Sequence, residues 1–255
     1  MAANIISGKI VKGIGGFYYI DAEDGVLYEC KAKGIFRNKK IKPLVGDNVN
    51  IEILDAENNL GNIVEILPRF NSLIRPAVAN VDQTIIIFAV SEPEPNFNLL
   101  DRFLVSMEKS GVKTVICFNK LDLSAENMDV CRSYGKSGYR TLFISAKNDE
   151  GIDELKEIIR DKTTVFAGPS GVGKSSTLNA IKPDAEAQTG AVSDKIKRGK
   201  HTTRHSELMH ISGNTYIMDT PGFSSLYVDS IEPDDLKEYF PDIAVYTGQC
   251  RFNMC

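Results

Sequence analysis

Residues 163–176, Thr163-Thr164-Val165-Phe166-Ala167-Gly168-Pro169-Ser170-Gly171-Val172-Gly173-Lys174-Ser175-Ser176, pass from a β-type run through Gly-x-x-x-x-Gly-Lys-Ser into a helix-compatible run. A strand-to-helix turn of this composition wraps phosphates with its backbone N–H groups, while its lysine neutralises their charge and its serine hydroxyl holds Mg²⁺. All of the fixed positions are met. Gly168, Pro169, Ser170, Gly171, Val172, Gly173, Lys174, Ser175 and Ser176 are therefore the candidate nucleotide contacts, with Lys174 reaching the β- and γ-phosphates and Ser175 a Mg²⁺ ligand. An α/β nucleotide domain is expected around them.

Upstream, Asn119-Lys120-Leu121-Asp122 closes the apolar run that begins at Lys113, at the carboxyl end of a predicted buried strand, where ligands sit in open α/β sheets. A carboxylate there accepts two hydrogen bonds from the guanine N1–H and exocyclic N2–H₂. Adenine offers no matching pair, and a site whose polar groups are left unpaired rejects the wrong base by about 10⁴ or more. Asp122 thus points to a guanine nucleotide, with Asn119 and Lys120 beside it. Ser145-Ala146-Lys147, ending the next predicted strand, is placed to supply a backbone N–H to the guanine O6. In an ordinary guanine-nucleotide switch these base-reading residues follow the phosphate loop. Here they precede it, so the same parts stand in rotated order.

Downstream, Asp219-Thr220-Pro221-Gly222 follows the run Tyr216-Ile217-Met218, which sets Asp219 toward the metal and the Gly222 N–H toward the γ-phosphate. The polar stretch between contains Gly199-Lys200-His201-Thr202-Thr203-Arg204, where a switch threonine would complete the Mg²⁺ shell; Thr203 is the first choice and Thr202 the second. Phe223 stands where many GTPases carry a glutamine that orients the attacking water. A phenyl ring cannot do this, so unassisted hydrolysis should be slow, leaving room for an acceleration of up to about 10⁵ by a partner.

The rest of the chain falls into place around this core. Residues 5–67 show short β-type runs (8–11, 17–20, 26–30, 48–54 and 62–67) separated by Gly, Asp and Asn turns. Five closely spaced strands predict a small barrel; an OB-type barrel is the commonest that binds oligonucleotides, and an SH3-like barrel fits the strand count nearly as well. After Pro68-Arg69 the period changes. Thr84-Ile85-Ile86-Ile87-Phe88-Ala89-Val90 reads as a strand buried on both faces, 99–110 and 151–160 as helices, 140–145 as a strand, and 206–211 with 215–218 as a hairpin around Ser212-Gly213-Asn214. A mostly parallel sheet with one antiparallel edge is expected. The division is 1–68 for the barrel, 69–240 for the nucleotide domain and 241–255 for a cysteine segment.

A chain of 255 residues with net charge −4 is long enough for two domains and is no uniformly basic nucleic-acid binder, though local patches exist. The segment from Lys31 to Lys42 carries Lys31, Lys33, Arg37, Lys39, Lys40 and Lys42 with Ile35 and Phe36 and no acid, a composition suited to RNA phosphates and bases. A second basic cluster, Lys195, Lys197, Arg198, Lys200 and Arg204, lies in the switch stretch. The five scattered cysteines form no disulfide framework, and no run approaches the roughly 18 apolar residues of a membrane span, so a soluble cytoplasmic protein is expected. The three histidines His201, His205 and His210 are close in sequence but lack the spacing of common zinc ligands. Cys250 and Cys255, in Cys-x4-Cys spacing, supply half of a zinc site.

The order Asn-Lys-x-Asp, Ser-Ala-Lys, Gly-Pro-Ser-Gly-Val-Gly-Lys-Ser, His-Thr-Thr-Arg, Asp-Thr-Pro-Gly-Phe, behind a barrel and before a cysteine pair, resembles the ribosome small-subunit-dependent GTPase A family over nearly the whole chain. The resemblance implies an N-terminal OB domain, a circularly permuted P-loop GTPase domain and a C-terminal zinc-binding subdomain. It also implies a role in late maturation of the small ribosomal subunit, with the subunit and its rRNA as partners, GTP/GDP with Mg²⁺, and a monomeric chain. It makes His201 the candidate that positions the attacking water. The family's zinc pattern continues with a further His and Cys, which are not among the residues here, so free thiols at Cys250 and Cys255 remain an alternative. Two other readings of the whole also stay open: a P-loop ATPase or small-molecule kinase, and an RNA-binding module with a vestigial nucleotide site.

Overall fold

A computed structural model of the chain describes residues 4–33, 36, 41–74, 76–123, 126–183, 207–220 and 231–249. They form thirteen strands and five α-helices. In chain order these are β1 Ile5–Ile14, β2 Phe17–Ala22, β3 Leu27–Ala32, β4 Asn48–Asp55, β5 Leu60–Ile66, β6 Ser72–Leu73, β7 Val78–Ala79, β8 Gln83–Ala89, α1 Phe97–Lys109, β9 Lys113–Asn119, α2 Met128–Ser133, β10 Arg140–Phe143, α3 Ile152–Ile159, β11 Thr163–Ala167, α4 Lys174–Ile181, β12 Leu208–Ser212, β13 Thr215–Asp219 and α5 Pro241–Ala244. None of the helices among the described residues is long and apolar enough to cross a membrane. The chain divides into two compact units, one of Met1–Val81, Asp161–Thr163 and Gly199–Met218, the other of Asp82–Arg160, Thr164–Arg198 and Asp219–Cys255.

In the first unit, all five predicted β-type runs are strands, and they close into a barrel in the order β1-β2-β3-β5-β4. Closure comes from β1 pairing with β4 as well as β2, and from the parallel pairing of β3 with β5. This connectivity makes the barrel OB-like and removes the SH3-like alternative. Alternation along the strands turns Ile10, Ile20, Cys30, Val49, Ile51 and Ile63 inward, all fully buried. At one end Arg69 donates from Nε and Nη2 to the buried Asp47 carboxylate at 2.6 and 2.8 Å, so the buried anion is paired and hydrogen-bonded. Phe36, read from sequence as a base-contacting aromatic, is only 6% exposed and packs into the barrel core. Phe17, on β2, is 36% exposed.

The six-stranded sheet has the order β10-β9-β8-β11-β13-β12. Every residue of β8 and of β11 is buried, as continuous apolar runs in a parallel sheet require. Strands β9 and β11 pair parallel to β8, β10 pairs parallel to β9, and β12 forms the antiparallel edge against β13. The Tyr216 and Thr220 N–H groups donate to Lys162 O and Phe166 O, advancing in the same sense, so β13 runs parallel to β11. Helix α1 begins at Asn96, whose side chain caps the Leu99 N–H, and it buries Leu99, Leu100, Phe103 and Leu104 against Ile86, Phe88, Ile116 and Phe118. Strands β8, β9 and β10 proceed outward in one direction, and β11 then returns to the other side of β8. A reversal of this kind opens a crevice at the carboxyl ends of the strands, the place where open α/β sheets bind ligands.

Candidate nucleotide site

Five segments meet the carboxyl ends of β8, β9, β10, β11 and β13, and the sequence motifs occupy four of them. The phosphate loop leaves β11 at Gly168, whose φ of +140° is open only to glycine; a Cβ there would lie 2.1 Å from the Ile87 carbonyl oxygen. The loop re-enters helical geometry at Gly173, the N-cap of α4, with φ +93°. Helix α4 thus points its N-terminal N–H groups and the positive end of its dipole into the crevice, which favours bound phosphate. Lys174, 7% exposed, donates from Nζ to the Gly168 and Pro169 carbonyl oxygens at 2.9 and 2.7 Å, which holds the ammonium across the loop. Burial pulls this ammonium below its ordinary pKa, and Asp219 pulls it back. Thr177 anchors the helix start by donating from Oγ1 to Gly173 O at 2.9 Å.

Asp219 ends β13. Ser175 Oγ lies 3.5 Å from Asp219 Oδ2, so the two predicted metal-facing oxygens converge. Although Asp219 reaches solvent, the surrounding protein raises its carboxyl pKa, with Lys174 and then Ser175 opposing. A hydroxyl and a carboxylate side by side at the mouth of a phosphate cradle are the hard oxygen donors that Mg²⁺ takes beside substrate phosphates. Thr220 fixes the next residue, its N–H and Oγ1 both donating to Phe166 O at 3.2 and 2.7 Å.

The base-reading residues are joined to the phosphate loop by one side chain. Asn119, 2% exposed, donates from Nδ2 to Val172 O at 2.9 Å and accepts the Ala146 N–H on Oδ1 at 3.1 Å. It therefore braces two loops, tying the phosphate loop to the Ser145-Ala146-Lys147 segment through the Ala146 N–H. Gly173 is needed here for a second reason, since a Cβ on it would lie 2.3 Å from Asn119 Nδ2. Asp122 receives Ser145 Oγ at 2.7 Å on Oδ1, and Lys147 Nζ stands 3.6 Å from Oδ2. The Ser145 hydrogen bond is the main reason the Asp122 carboxyl is held below its ordinary value, with Lys147 adding to it. The carboxylate form, the one that accepts two N–H donors from a base, is the form favoured. Lys120, in left-handed backbone (φ +69°), donates from Nζ to the Glu92 carbonyl oxygen in the segment that follows β8. That fifth segment, with Pro93 3.7 Å from where a Cβ on Gly171 would stand, escaped sequence reasoning because Glu92 and Pro93 belong to no motif.

The structure thus brings together Asn119, Lys120, Asp122, Ser145, Ala146, Lys147, the phosphate loop through Ser175 and Ser176, and Asp219. His201, Thr202, Thr203, Gly222, Phe223, Cys250 and Cys255 lie outside the described residues, as does the second basic cluster. His210 is described and stands on β12. Among the described residues no group of three or more His, Cys, Asp or Glu side chains is arranged to hold a metal ion.

Residues 7–63 match the family model for the RsgA N-terminal domain, and residues 66–229 match that for the RsgA GTPase. The chain is 53% identical to the small ribosomal subunit biogenesis GTPase RsgA of Agathobacter rectalis, covering 98% of this chain and 87% of that protein. It is 49% identical to the protein of the same name from Alkaliphilus metalliredigens, over 97% and 85%. Among solved structures it resembles YjeQ from Thermotoga maritima, at 36% identity and TM-score 0.80 over 98% of this chain and 86% of that one. It also resembles YloQ, described as a circularly permuted GTPase, at 37% identity and TM-score 0.76 over 99% and 83%. With both family models matched in succession and identity of about half sustained over nearly the whole chain, the chain belongs to the RsgA GTPase family.

Proposed function

We propose that this chain binds GTP with Mg²⁺ and hydrolyses it in the late maturation of the small ribosomal subunit, and that the subunit stimulates the hydrolysis. The observation that carries the guanine reading is the Asp122 carboxylate, kept ionised by Ser145 and joined through the Asn119 brace to the phosphate loop. Lys174 and the N-terminus of α4 neutralise the phosphates, and Ser175 and Asp219 hold the metal. Bound Mg²⁺ would supply charge neutralisation between the phosphate oxygens. Thr203 closes the metal shell, the Gly222 N–H meets the γ-phosphate and His201 positions the water; the first two roles rest on the motifs alone and the third on the family resemblance.

The names of the relatives support a small-subunit partner, and the barrel supports contact with rRNA. A groove of about 720 Å³ on the barrel is lined by Phe17, Tyr18, Lys31, Lys33, Phe36 and Lys42, among others. Lys31 Nζ stands 5.0 Å from the Phe17 ring centroid, an aromatic and a cation set side by side as stacked bases and phosphates require. Lys33 is paired with Glu52 at 2.6 Å, which leaves Lys31 and Lys42 as the stronger phosphate candidates. In this reading 1–68 is the RNA-binding barrel, 69–240 the GTPase domain and 241–255 the start of a zinc-type segment, in a monomeric cytoplasmic protein. Cys250 and Cys255 would provide two zinc ligands, which the metal content of the purified chain tests.

The decisive experiment measures GTP turnover with and without isolated small ribosomal subunits, beside GDP and ADP titrations. Stimulation by the subunit with GDP bound in preference to ADP is the expected result. No stimulation removes the ribosomal role, and tighter ADP binding removes the guanine reading.

A further inference from the structure

The groove on the barrel has an apolar lining that an RNA helix would leave uncovered. Strands β1 and β2 meet in the two-residue turn Gly15-Gly16, whose φ values of +60° and +89° are the left-handed pair that a tight hairpin turn favours and glycine adopts freely. A Cβ at either glycine would meet no atom within 4 Å, so the turn stands in open space and its bare backbone borders Phe17, the next residue. Phe36, buried in the barrel core, and the exposed Ile41 add to the apolar lining. A second hollow, of about 330 Å³, adjoins the first: it shares Phe17, Tyr18 and Lys42 with it and adds Ile14, Val45 and Ala77. The chain carries 34 Asp and Glu against 30 Lys and Arg, yet none of the described residues that line either hollow is acidic, while Lys31, Lys33 and Lys42 are among them.

This pairing of cations with an apolar, aromatic lining selects among the forms of RNA. An A-form helix turns its bases inward and offers phosphates and 2′-hydroxyls over a wide, shallow groove; such contacts satisfy lysines and leave Phe17, Ile14 and Ile41 without a partner. An unpaired strand offers both a π-face and a phosphate at each nucleotide, which an aromatic beside a cation receives together. Lys31 Nζ stands 5.0 Å from the Phe17 ring centroid, so a base stacked on the ring carries its phosphate to the ammonium. We propose that this trough takes an unpaired stretch of RNA, with a base stacked on Phe17 and the adjoining phosphates met by Lys31 and Lys42. The inference rests on the reading of the barrel as the RNA-contacting part.

The test uses the full chain, with an oligouridylate of about twelve nucleotides and an RNA duplex of the same length as probes, across a salt series. The single strand should bind more tightly than the duplex. Phe17→Leu, which keeps an apolar side chain but removes the π-face, should weaken single-strand binding about 5- to 150-fold, by the same factor at every salt concentration. Phe17→Trp should retain affinity, and because the chain has no other tryptophan, quenching of its emission by the oligouridylate reports stacking directly. Equal or tighter binding of the duplex overturns the proposal, as does an unquenched Trp in a variant that still binds. A flatter salt dependence in Phe17→Leu would mean that the ring serves only to hold Lys31, and equal competition by polyglutamate that charge alone is recognised; either result overturns it. Co-sedimentation with small ribosomal subunits separates this inference from the reading beneath it. Binding weakened by Lys31→Ala with Lys42→Ala but untouched by Phe17→Leu overturns stacking alone, whereas binding untouched by both removes RNA contact from this face of the barrel and the inference with it.

Discussion

In the proposed reading, Ser145 governs nucleotide recognition indirectly, through the Asp122 carboxylate. It is fully buried, its backbone is locked to Glu150 by N–H···O bonds in both directions (3.0 and 3.1 Å), and its hydroxyl is aimed at Asp122. The Asp122 carboxyl is held below its ordinary value, so its charged form persists as pH falls, and base recognition fails only when pH drops through that lowered value. Removing the hydroxyl lets the carboxyl return toward the ordinary aspartate value of about 3.9. Ser145→Ala should therefore shift the acid limb of GDP binding to higher pH, with affinity near neutrality less affected. GDP titrations from neutral pH down to about pH 3, a range that brackets the ordinary aspartate value, with circular dichroism to confirm folding at each pH, check this; superimposable profiles would refute it. The place of Asp122 at the carboxyl end of β9, beside Ser145, was legible in the sequence because its motif closes a continuous apolar run. The brace formed by Asn119 was not, because its partner Val172 lies 53 positions away and no periodicity links them.

Elements were legible where burial imposes a pattern. The run from Thr84 to Val90 reads as a strand because both its faces are covered, and β8 accordingly has no exposed residue. The amphipathic period of α1 is visible because only one of its faces meets the core. Short elements left no such trace: α2 has six residues, β6 and β7 two each, too few for either period to repeat. The kind of barrel was equally hidden, since it is decided by which strands pair, β1 with β4 and β3 with β5, and not by their number. Helix α1 also matters to the site, because its buried face shares a core with Ala167, the last residue before the phosphate loop. Leu100, fully buried in that core, tests the coupling. Leu100→Ala should cost about 2–5 kcal/mol of stability through lost burial and a residual cavity. Denaturant unfolding measures it, and a loss below about 1 kcal/mol would show that the core collapses around the gap.

At the scale of the whole molecule, the proposed nucleotide chemistry and the proposed RNA contact fall on different parts of one chain, which makes them separable by experiment. The chain is acidic overall, with a net charge of −4, so attraction to RNA has to come from a local patch rather than from the average field. Lys31 and Lys42 flank a groove whose surface aromatic is Phe17, whereas the phosphate-loop lysine, Lys174, is buried in the other unit. Each lysine that neutralises a phosphate releases a counterion, and the logarithm of affinity falls with the logarithm of salt by about 0.7 per contact for single strands and about 0.9 for duplex. Lys31→Ala combined with Lys42→Ala should therefore weaken binding to small ribosomal subunits most at low salt and flatten the salt dependence by about 0.7–0.9 per lysine. GDP affinity should be unchanged in the same protein. Co-sedimentation with subunits across a salt series supplies the slope. A parallel displacement of the line with its slope retained would mean that these lysines shape the barrel without touching phosphate, and would move the search for the RNA-contacting cations to other residues of the Lys31–Lys42 segment.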